Sequence, residues 1–293
     1  MKATDIAAFL NKTLFGENVE IERTATLNKI SSYSIIFIKK YSEVIRNTIN
    51  NTQRPFLAIV LPEYHNKISC SYIISSNPRL DFIKIVTAFL TEKPKAVISS
   101  NAYVSPKAII GKDVVINDGC YIDGDVILGD GCILYPNVTI HGKTSIGNNC
   151  TIKSGAVIGQ YGFGFERDEK GTPIAFPHTG SVRIGNNVSI GANSCIDKAT
   201  IDETIIEDNV KIDNLVHIAH NCRVGQSSMI ASSVILCGGV KVGDRCWISP
   251  HSTILQHLTI GANSTIGMGA VVIRNVKEST TVFGNPATDI EMM

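Results

Sequence analysis

From Val104 to Val276 the chain repeats itself every six residues. Each unit opens on an aliphatic residue, and a small residue stands four places later. The openers run from Val104 through Ile110, Ile116, Ile122 and Leu128 to Ile158, and resume at Ile184, Ile190 and Ile196. After a four-residue slip they run unbroken from Ile206 to Val272. An amphipathic helix has a period near 3.6, so a period of six excludes it. Six is the mark of a parallel β-helix, in which each hexapeptide forms one flat side and three form a triangular coil. Coils stack at the inter-strand spacing of roughly 4.8 Å. The small residue fits where the three sides converge. Asn and Gly crowd the corners, where tight turns need positive φ.

Residues 1–98 lack the repeat and read as a small α/β domain; the β-helix is expected over 99–293. TDIAAFLNKTL reads as a helix with Thr4 as its cap, SYSIIFI and RPFLAIVL as strands, and NPRLDFIKIVTAFL as a turn leading into an amphipathic helix. The repeat is interrupted over 160–182, and a loop of that length on a regular solenoid reads as site-forming.

Twenty-seven basic and 26 acidic residues leave a net charge of +1, with no basic run. That argues against nucleic acid as a partner. No stretch approaches the roughly 18 apolar residues of a membrane span, and MKATDIAAFLNKTL lacks a signal-peptide pattern. A cytoplasmic location is expected. Cys120, Cys132, Cys150, Cys222 and Cys246 occupy the small slot of their hexapeptides, which suits reduced cysteine as a core filler.

Positions eighteen apart stack on neighbouring coils. His220, Gly238 and Gln256 therefore form one column, and Asn221, Gly239 and His257 the next. Two imidazoles then flank a bare glycine backbone, roughly 10 Å apart along the axis. One imidazole can accept a proton near neutral pH, and glycine N–H groups can approach a developing oxyanion. Asp213 opens the side before His220, where a carboxylate would set the imidazole's tautomer. His217 ends that side, and His251 belongs to a different face. A zinc site would need a third histidine from among His141, His178 and His251 across an interface. A nucleophilic Cys237 is the remaining covalent reading. Neither is preferred, and no metal is expected.

The run GFGF, followed by IGNNVSIGANSCIDKATIDETIIEDNVKIDNLVHIAHNCRVG with its four-residue slip, closely resembles the UDP-3-O-acylglucosamine N-acyltransferases of lipid A synthesis. That family lies within the left-handed β-helix acyltransferases, so the resemblance implies a left-handed helix. IIFIKKYSE and SNPRLDFIKIVTAFL resemble the family's nucleotide-binding domain. By position, His220 matches the catalytic base, Asp213 its partner, His257 the second histidine and Gly238 the oxyanion donor. Phe37 matches the aromatic that stacks on the base, with Tyr41 beside it; Phe163, Asn221 and Gln256 are further substrate-binding candidates. Lys39 and Lys40 stand where the family has an asparagine. The resemblance implies N-acyl transfer to a nucleotide-linked amino sugar in lipopolysaccharide synthesis by a homotrimer. No bound cofactor is expected; acyl carrier protein or coenzyme A carries the acyl group. The segment VFGNPATDIEMM resembles instead the coenzyme A-dependent sugar acetyltransferases, so a dideoxyaminosugar of a surface polysaccharide is the alternative substrate. A non-catalytic β-helix scaffold is the reading from a different class.

Overall fold

Each hexapeptide supplies one short strand, and the strands stack into three parallel sheets of nine, eight and eleven strands. The eleven-stranded sheet ends in an antiparallel hairpin, Thr281–Gly284 with Ala287–Asp289. The computed structural model describes residues 1–92 and 94–289. The chain divides into two units, Met1–Lys93 and Pro94–Met293. The division falls before residue 98 because Val97–Ile98 already pair with Val115–Ile116, one hexapeptide ahead of Val104.

The repeating pattern explains the solenoid's core. Ile212, Ile218, Val224, Ile230 and Leu236 point inward, as do the small-slot residues Val216, Cys222, Ser228 and Val234. All are buried, and successive coils bring like against like. A small polar residue in this core can be satisfied by a neighbouring coil: Ser228 Oγ donates to Gly243 O at 2.7 Å and accepts from Cys246 N at 2.9 Å. One corner carries a side-chain ladder. Asp130 Oδ1 accepts from Lys112 N, Asn148 Oδ1 from Asp130 N, Asn186 Oδ1 from Asn148 N, and Asp208 Oδ1 from Asn186 N. The corners take the left-handed conformation at Asn149, Asn187, Asn193 and Asn221, where asparagine is least strained.

Two irregularities break the period. Within 160–182, the strand Val157–Tyr161 runs on past its neighbours. A hairpin follows, Phe165–Arg167 paired with Pro173–Ala175. The slip makes the Cys195↔His217 pairing span 22 residues where other coils span 18, as Lys211↔Met229 does.

The first unit is a five-stranded sheet with helices on both faces. Its elements are α1 (Ala3–Phe9), β1 (Leu14–Phe15), β2 (Arg23–Thr24), β3 (Ser34–Phe37), α2 (Glu43–Asn50), β4 (Phe56–Val60), β5 (Ser71–Ile74) and α3 (Pro78–Ile85). The sheet order is β1-β5-β4-β3-β2, with β3, β4 and β5 parallel. α3 starts as its NP pair predicts, with Asn77 Oδ1 accepting from Leu80 N and Pro78 in the first turn. Thr4 does not cap α1: the cap position is Lys2, whose N–H is received by Asp5. α2 buries only Ile49 of its eight residues.

Candidate active site

The column of His220, Gly238 and Gln256 stands at the corner between the nine- and eight-stranded sheets, because His217–Ile218, Ile235–Leu236 and Thr253–Ile254 pair in register. His220 lies against Gly238, where an added Cβ would meet its Nε2 at 2.9 Å. His257 lies over Gly239, where a Cβ would meet its Nδ1 at 2.5 Å and φ is +72°. Only glycine suits both positions. Gly239 N–H donates to His220 O and His257 N–H to Gly238 O. Gly238 N–H donates to no group among the described residues, so it is a free donor between the two imidazoles. His257 itself is in the left-handed region, φ 61°, which aims its ring along the corner.

The tautomer of His220 follows from Asn221. The Asn221 Nδ2 group donates to Ile201 O at 2.8 Å, so Oδ1 is the acceptor. That oxygen receives Thr200 N–H and Thr200 Oγ1–H, and stands 3.0 Å from His220 Nδ1. Nδ1 therefore carries the proton, and Nε2, over Gly238, holds the lone pair. Asn221 thus faces the slip and the imidazole, away from the substrate-contacting role expected of it. Its side chain ties residues 200–201 to the coil above.

Asp213 does not stand beside His220 within the chain. It follows Lys211–Ile212 of the eleven-stranded sheet, one corner earlier. Its Oδ1 receives Asn214 N–H, and it lines a cavity of about 250 Å³ with Lys211, Met229 and Trp247. The separation is geometric: seven residues carry the chain past one whole side of the prism. His251 shares Asp213's corner. Cys237 is half-buried, and burial holds its thiol up, away from the thiolate a nucleophile needs.

Three groups near His220 come from the irregular segments. A Cβ on Gly162 would stand 2.9 Å from His220 Cδ2 and 3.2 Å from both Asp197 Oδ2 and His178 Nε2. Asp197 occupies an outward strand position, yet the inserted segment 160–182, a flap that brings Gly162 and His178 over this face, buries it. Burial pushes its carboxyl up to about 7. His217 Nε2 lies 3.7 Å from its Oδ2; burial, and then the charge of His220, hold His217 below the usual imidazole value. The His178 ring meets His220 edge to face at 5.6 Å. Its Nδ1 lies 2.9 Å from Phe176 O, and its buried Nε2 has no partner among the described residues. Gly162 was visible only as part of GFGF, Asp197 only as part of IDKAT, and His178 only as a distant zinc candidate.

Of the other expected residues, Gln256 and Phe163 are exposed, Phe163 packing at a tilt on Phe165 at 5.0 Å. Phe37 and Tyr41 belong to the first unit. Phe37 meets Phe82 at 4.8 Å, and both line a cavity of about 430 Å³ with Thr26 and Lys29. Tyr41 packs on Tyr64 in the cluster beneath α2, while Phe37 packs in the cluster beneath α1 and α3. The two aromatics lie on opposite sides of the sheet and form no joint platform.

Residues 125–160, 203–238 and 239–274 match the bacterial transferase hexapeptide family (six repeats), and 181–219 match the hexapeptide repeat of succinyl-transferase. A solved UDP-N-acetylglucosamine acyltransferase superposes with a TM-score of 0.61 at 30% identity, covering 66% of this chain and 73% of the other. The chain belongs to the hexapeptide-repeat acyltransferases. Among similar proteins, a probable mitochondrial UDP-3-O-acylglucosamine N-acyltransferase 2 of Arabidopsis thaliana is 41% identical over 154 residues, covering 53% of this chain and 50% of the relative. A UDP-3-O-acylglucosamine N-acyltransferase of a Janthinobacterium species is 42% identical over 144 residues, covering 49% and 41% respectively. The chain spans about half the length of the curated relatives it matches. Among the described residues, no helix is long and apolar enough to cross a membrane.

Proposed function

We propose that this chain is an N-acyltransferase that moves an acyl group from a thioester to the amine of a nucleotide-linked amino sugar. One observation carries the reading: the ring of His220 lies against Gly238, its unprotonated Nε2 2.9 Å from where a Cβ would stand, and the Gly238 N–H has no acceptor among the described residues. The amine nitrogen attacks the thioester carbonyl carbon, and a C–N bond forms as its proton passes to Nε2. The oxyanion meets the Gly238 N–H, with His257 alongside. On collapse the C–S bond breaks, and the imidazolium returns the proton to the leaving sulfur, giving an amide and a free thiol. The names of the similar proteins favour a UDP-linked glucosamine acceptor. The chemistry needs no metal.

The donor is acyl carrier protein or acyl-coenzyme A, and the working form is a cytoplasmic homotrimer, since a shallow β-helix corner needs a neighbour to make a cleft. Phe37 and its cavity are the candidate contact for the nucleotide base, and Gln256 and Phe163 for the sugar or acyl chain. Asp213 lies at another corner of the same chain, so a role for it in catalysis would be across that interface.

The test supplies both donor types with UDP- and dTDP-linked amino sugars and measures thiol release and amide formation by mass spectrometry. Turnover with one pair is expected, and His220→Ala should lower it by ~10²-fold or more. Turnover that survives His220→Ala, or no turnover with any pair, rejects this assignment; the second outcome favours a non-catalytic scaffold.

A further inference from the structure

His220 is oriented by a neutral partner. Asn221 Oδ1 receives its Nδ1 proton but brings no charge to the imidazolium that forms when Nε2 is protonated. A carboxylate stands on the ring's other edge. Asp197 is 7% exposed. Its Oδ2 and His220 Cδ2 lie 3.2 Å and 2.9 Å from one point, the place a Cβ on Gly162 would occupy. That puts the two groups within the roughly 4–6 Å over which a carboxylate favours the charged form of a neighbour.

We propose that Asp197 is a positioning residue whose carboxylate supplies the counter-charge for the imidazolium formed on His220, with His217 and the flap residues Gly162 and His178 enclosing it. The proposal rests on reading His220 as the general base. The flap is what makes the pairing strong: excluding water lowers the local dielectric, so a single nearby charge is felt more.

The groups facing Asp197 are consistent with this use. His217 sits on the next coil, His220 at the corner and His178 on the flap. The thiols of Cys195 and Cys222 are held up by burial first and, in smaller part, by the charge of Asp197. The ammonium of the adjacent Lys198 turns away, 4.4 Å over the Tyr161 ring. His217 Nε2 stands 3.7 Å from the carboxylate, and burial and then the charge of His220 disfavour its charged form, so it cancels little of the carboxylate's charge. A counter-charge at such range makes an imidazole and a carboxylate lose their protons as a pair rather than singly.

Diethyl pyrocarbonate acylates only neutral imidazole, and peptide mass spectrometry reads His220 alone. The intact chain would be modified from about pH 5 to 8. For the natural chain, His220 reactivity should rise over a broader span than one proton allows. In Asp197→Asn the midpoint should fall by roughly half a unit to one unit and the curve should narrow. An unmoved or raised midpoint overturns the proposal. So does a single-proton curve for the natural chain, which decides the matter even if the variant does not fold. The acidic limb of kcat/KM, for any donor and acceptor that turn over, should move the same way. A shifted midpoint without any turnover would leave the counter-charge standing and reject the acyltransferase reading; His220-dependent turnover with an unmoved midpoint would do the reverse.

Discussion

Asn221, Asp197 and Gly162 show how much of the candidate chemistry rests on single side chains that the repeat itself does not mark. Asn221 fixes the tautomer of His220 while pinning the slip. Gly162 has no room for a side chain, and its φ imposes no need for glycine. Gly162→Ala should therefore fold normally yet push the His220 ring aside, lowering turnover by roughly 10²-fold with little change in melting temperature. Asp197 has a stability signature as well. Its folded carboxyl is raised to about 7, above its unfolded value, so folding favours the protonated form. That favourable contribution is complete below about pH 4 and is lost as pH rises through about 7. Asp197→Asn should match the natural chain near pH 4 and exceed it at pH 8, by at most on the order of 4 kcal/mol. Thermal melts across that range would show it, and a variant less stable at pH 8 would contradict the burial argument.

The flap is the element that converts a regular prism edge into an enclosed site. Its base is anchored on the slip: Thr179 N–H and Gly180 N–H both reach Thr200 O. Its tip is apolar and open, with Phe163, Phe165, Ile174 and Phe176 exposed. None of residues 165–175 belongs to the solenoid core. Replacing 165–175 with two glycines should leave the melting temperature within a few degrees, since surface loops tolerate shortening. Turnover should drop at least tenfold, because His178 and Gly162 lose their support. Circular dichroism and the thiol-release assay check the two halves separately. The flap and the slip are also the two places where the sequence period fails, and together they build the surroundings of His220. Their existence was legible as interruptions. Their contents were not, because a broken period says where regularity stops and nothing about how the intervening chain turns back.

At the scale of the whole molecule, two units with separate cores divide the labour differently. The solenoid has one continuous core in which every coil buries its aliphatic and small residues, so a loss in one coil is felt through its neighbours. Ile116→Ala, buried and four strands along its sheet from Ile212, should cost about 2–5 kcal/mol in urea denaturation. At low temperature it should leave kcat/KM unchanged. A comparable loss of activity would mean that distant coils are coupled to the site. The first unit's sheet is buried on both faces by separate clusters, which is why Phe37 and Tyr41, four residues apart, end on opposite sides.

The six-residue period by itself determined the β-helix, the coil length and the shared corner of His220, Gly238 and His257, because a solenoid makes position along the chain equivalent to position in space. It placed the division between units a few residues late, since the first hexapeptide, ending the linker, shows its period only through its pairing with Val115–Ile116. Only the tertiary structure decided which carboxylate meets the imidazole. Asp213 is near His220 in sequence yet a corner away. Asp197 is twenty-three residues distant and close in space, because the slip and the flap fold over it. Burial of an outward-facing residue depends on what lies above it, and no repeat within the strand carries that information.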